Sequence, residues 1–169
     1  MAADETQGNP SGNIKKIGEF IKGIDFAMLT TTDENGALQS RPMQTQQIDF
    51  DGDIYFFTYD NSKKAQHIAR NSRVNLAYSA PSKSDYLSLS GTAEILHDTE
   101  KMKELWHTQL KAWFPQELET PHIALLKVSA ESAELWDAPS SPISHAIGLV
   151  KSAVTGKPAK VGDNETLQV

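Results

Sequence analysis

Cysteine is missing from this chain, which rules out disulfides, thiolate metal sites and a cysteine nucleophile. No apolar run is long enough to span a bilayer, and the acidic opening Met1-Ala2-Ala3-Asp4-Glu5 lacks the basic-then-apolar profile of a secretory leader. A cytoplasmic protein without membrane attachment is expected. Basic residues are in the minority, 16 against 22 acids for a formal net charge of −6, so the broad basic face that nucleic acid requires is not expected either. The five histidines, His67, His97, His107, His122 and His145, never recur at spacings of three to five, and a zinc site lacks its ligand pattern. There is no Gly-x-Ser-x-Gly elbow, no Gly-x-Gly-x-x-Gly after a strand, and no upstream glycine to make Gly156-Lys157 a phosphate loop. Any reactive group is expected to be borrowed from a cofactor.

Length and a hydrophobic fraction of 38% suit one core with tails. The polar residues 1–12 and the stretch 151–169 read as flexible tails around a domain over 13–150. Ile14, Ile17, Phe20, Ile21 and Ile24 recur at helical spacing behind Asn13 as an N-cap. Strands are expected over 26–32, 37–50 and 53–59, joined by two-residue turns at Asn35-Gly36 and Asp51-Gly52, so the three form a meander. A helix over 62–70, a strand over 74–79 and a longer strand over 86–97 broken at Gly91 follow. Met102, Leu105, Trp106, Leu110 and Trp113 mark a helix behind Asp98 that Pro115 stops, and strands over 123–128 and 133–136 complete the domain. This pattern predicts a mainly β, α+β fold: a six- to seven-stranded antiparallel barrel with flanking helices.

One stretch departs from the overall charge. Residues 61–84 hold no acid, where average usage would place about three, yet carry Lys63, Lys64, Arg70, Arg73 and Lys83. Lys63 and Lys64 fall in the first turn of the predicted helix, where exposed N–H groups and the positive dipole end disfavour cations unless an anion arrives. A phosphate would turn that penalty into a binding site. The alternative is a solvated helix face that is short of acids by chance. The Asp51-Gly52 hairpin, stepped back from Phe50 and Asp53, carries Arg41 past Tyr59 to the level of Ser62, adding a third cation.

The run Phe57-Thr58-x-x-x-Ser62-Lys63-Lys64-Ala65-x-x-Ile68, with Asn71-Ser72-Arg73-Val74 after it, resembles the phosphate-binding strand and helix of the pyridoxamine 5′-phosphate oxidase-like flavoproteins, which have the FMN-binding split-barrel fold. Ser40-Arg41-Pro42-Met43, Leu89-Ser90-Gly91-Thr92-Ala93-Glu94, Trp113-Phe114-Pro115 and Glu134-Leu135-Trp136-Asp137 resemble the general stress protein 26 branch more than the oxidases. The resemblance implies a homodimer with FMN in two clefts at the subunit interface. It assigns Lys63 and Lys64 to the FMN phosphate, Thr58 and Ser62 to its hydroxyl partners and Arg41 to a further cofactor contact, with Phe57 beside Thr58. The flavin ring would lie on backbone at Pro42 and Met43, and Trp136 would come from the other subunit; an ordinary core aromatic is the alternative for Trp136. The expected function is an FMN-binding flavoprotein, either an oxidoreductase acting on a small substrate or a flavin-sensing module, and the catalytic residues are not identified. A pyridoxamine phosphate oxidase is the runner-up. Against it, Asp137-Ala138-Pro139-Ser140-Ser141-Pro142 lacks the Arg-x-His segment of the oxidases, and Tyr86 stands where they carry a flavin-contacting glutamine.

Overall fold

The computed structural model describes residues 10–47, 49–137 and 163–169. Its helices are α1 (Pro10–Ile21), α2 (Lys63–Arg70) and α3 (Thr99–Leu105), and its strands are β1 (Phe26–Thr32), β2 (Leu38–Gln44), β3 (Asp53–Tyr59), β4 (Arg73–Ala80), β5 (Asp85–Leu96), β6 (Ile123–Asp137) and β7 (Asp163–Gln168). All pairings are antiparallel, in the order β2-β1-β4-β5-β6-β3, with β7 added to β6. This is the expected α+β architecture: a seven-stranded antiparallel sheet curled into a split barrel, with three flanking helices.

Alternation along the strands builds the main core. Leu29, Leu76, Leu89 and Phe56 point inward with Ile17 and Ile21 of α1, and all are buried. The adjacent β3 residue Phe57 points the other way, into a second cluster with Met102, Leu105, Leu110 and Phe114. Thus β3 is covered on both faces.

Several expected boundaries move, each for a local reason. Pro10, whose φ is already helical, opens α1 earlier than expected, so residues 10–12 are helix and not tail. Asn13 then lies inside the helix, and its Nδ2 donates to the Gln168 carbonyl at 2.8 Å instead of capping. The β1–β2 hairpin forms, but Gly36 alone is left-handed (φ +82°) while the Asp33 carboxylate accepts from the Asn35 and Ala37 N–H groups, giving a longer loop than the two-residue turn. The stretch assigned to a C-terminal tail ends in β7, which pairs Ser132–Asp137 of β6.

Past Leu105 the expected long helix breaks. Trp106 and His107 are extended, and a 3₁₀ turn over Thr108–Ala112 follows. Leu110 and Phe114 still reach the second cluster, and His107 Nε2 lies 3.0 Å from Gln46 Oε1, so tertiary contacts replace helical propagation. The two expected final strands are one, since β5 follows β6 from Leu96↔Leu125 to Tyr86↔Trp136, with a register shift at Ser90/Gly91. A Cβ on Gly91 would sit 2.1 Å from the Ser129 carbonyl oxygen, so this bulge admits only glycine.

The largest correction concerns β2 and β3. They are the two edges of the sheet, not ladder partners: β2 pairs β1, and β3 pairs β6. One hydrogen bond, Gln46 N to the Tyr55 carbonyl at 3.3 Å, joins them at the end of β2. From there the barrel is split.

Candidate functional site

The basic cluster forms at this split. Ser62 caps α2: its Oγ accepts from the Ala65 N–H at 3.3 Å, and its carbonyl accepts from the Gln66 N–H at 3.1 Å. The N–H groups of Lys63 and Lys64 precede the first helical hydrogen bond and sit at the positive dipole end. Adjacent helical residues diverge by about 100°, and the lysine pair divides accordingly. Lys63 is exposed, whereas Lys64 is half-buried. Burial, reinforced by the nearby Arg41 guanidinium, holds the Lys64 ammonium below the ordinary lysine range.

Arg41 enters from β2. Its Nη1 donates to Thr31 Oγ1 at 2.7 Å and to the Leu29 carbonyl at 3.3 Å, and burial lowers its pKa as well. Thr31, 1% exposed, lies 3.0 Å through Oγ1 from Nδ1 of His67, one turn beyond Lys64 on α2. With the arginine occupying one Thr31 lone pair, the hydroxyl proton is available to His67 Nδ1. This Arg41–Thr31–His67 chain clamps β2, β1 and α2 together and fixes the direction of the guanidinium. Thr31 and His67 carried no motif in the sequence; only the β1–β4 and β1–β2 registers, which bring α2 over β1, reveal them.

Thr58 completes the set. It is the penultimate residue of β3, 2% exposed, and its Oγ1 has no hydrogen-bond partner. Among the described residues, no carboxylate forms an ion pair with Arg41, Lys63 or Lys64. Buried hydroxyls without partners and half-buried cations without counter-charge are both costly. An anion of phosphate size, taking hydrogen bonds from Thr58, Arg41, Lys64 and the first turn of α2, removes both costs.

The remaining predicted residues separate. Met43 is buried in the main core and Phe57 in the second, where it meets Trp106 edge-on at 5.6 Å and 88°. Neither side chain is free to touch a ligand. Pro42 is exposed on the edge strand β2, where a missing N–H is tolerated. Trp136 lies on the outer sheet face, 37% exposed and directly opposite Tyr86, itself 45% exposed. Trp136 sits at the Tyr86 end of β6, and three strands, β1, β4 and β5, lie between β6 and β2 along the sheet.

The profile of the family described as pyridoxamine 5′-phosphate oxidase like matches residues 12–160. Protein bli-3 of Neurospora crassa is 27% identical over 158 residues, covering 88% of this chain and 76% of its own. A Clostridium acetobutylicum protein related to general stress protein 26 superposes with a TM-score of 0.70 at 20% identity, covering 95% of this chain and 96% of its own. The general stress FMN/FAD binding protein of Xanthomonas citri superposes with a TM-score of 0.66 at 28% identity, covering 78% and 92%. Sequence profile and split-barrel topology agree, and the chain belongs to the pyridoxamine 5′-phosphate oxidase-like family.

Proposed function

We propose that the chain is an FMN-binding flavoprotein whose cofactor phosphate sits at the mouth of the β2–β3 split. The observation that carries this reading is the coupling of half-buried Lys64 to Arg41 with no carboxylate paired to either among the described residues, together with a buried, unpartnered Thr58 hydroxyl four residues before the Ser62 cap. Arg41 and Lys64 neutralise the phosphate, Lys63 adds charge from the exposed side, and Thr58 and Ser62 offer hydroxyl donors, Ser62 through the proton its capping role leaves free. The description of the Xanthomonas citri relative as an FMN/FAD binding protein supports a flavin over other phosphates.

The edge of β2 that turns away from β1 offers backbone groups at Pro42 and Met43 for the flavin ring. A homodimer accounts for Trp136. On the outer sheet face Phe26, Met28, Pro42, Tyr86 and Trp136 leave an apolar patch, and a second copy seated there would bring its own Trp136 to the first copy's flavin. When bound, the flavin supplies hydride or electron transfer. The residues at the mouth, being cations and hydroxyls, bind and orient; no carboxylate pairs with them among the described residues. The reading is therefore an oxidoreductase or flavin sensor in which redox chemistry belongs to the cofactor. Purified protein should carry or take up flavin with a perturbed visible spectrum, and anaerobic mixing with NADH or NADPH tests the oxidoreductase branch: flavin that neither nucleotide reduces argues for the sensor.

A further inference from the structure

The second buried oxygen at the split is Oε1 of Gln44, which also has no hydrogen-bond partner. It lines a cavity of about 520 Å³ together with Gln46, Trp106 and His107, on the side where the Gln46–Tyr55 bond closes the split. The neighbouring Gln46 is fully engaged: its Nε2 donates to the Gln44 carbonyl at 3.2 Å, and its Oε1 lies 3.0 Å from His107 Nε2. Gln46 is therefore held in place, whereas the Gln44 carboxamide is left with a buried acceptor and no donor. Leaving such a group unsatisfied is costly, and the cavity supplies room for the missing donor. Exposed Asp25 and Glu104 stand at the cavity rim, where water can serve them.

We propose that the Gln44 carboxamide reads the pyrimidine edge of the bound flavin ring, accepting its N3–H. This inference rests on the flavin reading above. Gln44 follows Arg41 by three residues on β2, about 10 Å at the rise of a strand, and the two side chains leave opposite faces of that strand, so a flavin lying along the free edge of β2 would pass Arg41 with its phosphate and Gln44 with its ring edge. The oxidised isoalloxazine has one N–H, at N3, flanked by two carbonyls. A carboxamide, with one acceptor and one donor side by side, matches that edge. Gln44 is thus a positioning residue for the ring, at the opposite end of the split from the phosphate cluster.

The test compares FMN with N3-methyl-FMN, which lacks the donor, on the wild-type protein and on Gln44→Leu, read as flavin fluorescence quenching on titration. Wild type should bind the methylated flavin about tenfold more weakly than FMN. Gln44→Leu should bind both alike, at the weakened level, because a purely steric effect of the methyl group would persist in the variant. Equal binding of the two flavins by wild type, or undiminished discrimination by Gln44→Leu, overturns the Gln44 assignment while leaving the flavin reading intact, provided FMN still outcompetes riboflavin. Loss of that preference for FMN would instead overturn the flavin reading, and this inference with it.

Discussion

Arg41 on β2 presses on Lys64 of α2: the guanidinium and burial together lower the lysine pKa, and no acid among the described residues offsets them. Two like charges held together by the fold make the ligand-free state carry a cost that an anion removes.

Replacing Lys64 with methionine should therefore stabilise the apo-protein while abolishing tight flavin binding. The expected gain is about 1–3 °C in Tm near neutral pH. The sign with pH follows from a folded-state pKa below the ordinary 10.5. The charged form is penalised in full below the folded pKa, and the penalty fades as pH climbs from there towards 10.5. The advantage of Lys64→Met should shrink over that alkaline window in thermal melts. A variant less stable than wild type at neutral pH would show that the lysine is not strained.

Thr58→Val keeps the shape of a β-branched strand residue and removes the orphaned hydroxyl. Apo stability should rise by about 1 kcal/mol in urea unfolding, because the buried polar group no longer needs a partner, and FMN affinity should fall about tenfold. Unchanged FMN affinity would place the phosphate elsewhere.

At the β5 bulge, Gly91→Ala drives a Cβ to 2.1 Å from the Ser129 carbonyl oxygen, a backbone atom that cannot rotate away. Destabilisation of about 2–4 kcal/mol is expected, with the midpoint of denaturation reporting it. A neutral substitution would show that β5 and β6 can shift register here.

Trp136→Ala should leave the monomer folded, since the ring is exposed on the outer sheet face opposite Tyr86. Sedimentation should instead show a weakened dimer, and the flavin should lose part of its spectral perturbation. A variant that unfolds would identify Trp136 as a core residue of its own chain.

Sequence reading recovered most helices and strands, because the β-branched and aromatic residues of β3 and β4 and the Ser62 and Asp98 caps are local signals. It failed where the outcome depends on distant partners. Nothing local distinguishes a β2–β3 ladder from two edges that touch once at Gln46–Tyr55, yet Arg41 still arrives beside Lys64, since antiparallel strands touching at that bond keep nearly the expected level. The break after Leu105 depends on His107 meeting Gln46 across 61 residues, and β7 depends on Ser132–Asp137 of β6, neither visible to periodicity. The approach of Arg41 to Lys64 and the Ser62 cap were legible from motif and charge. Thr31, His67 and the unpartnered Gln44 were not, because their significance lies in which bonds they make or lack.

Side-by-side titration of the apo-protein with FMN and riboflavin, repeated on the Lys63→Glu/Lys64→Glu variant, tests the phosphate assignment most directly. With each charge-assisted bond contributing about 1.5–3 kcal/mol, FMN should bind wild type at least about a hundredfold more tightly than riboflavin, and the double variant should lose that preference while keeping its fold. Equal affinities of wild type for the two flavins would contradict the account.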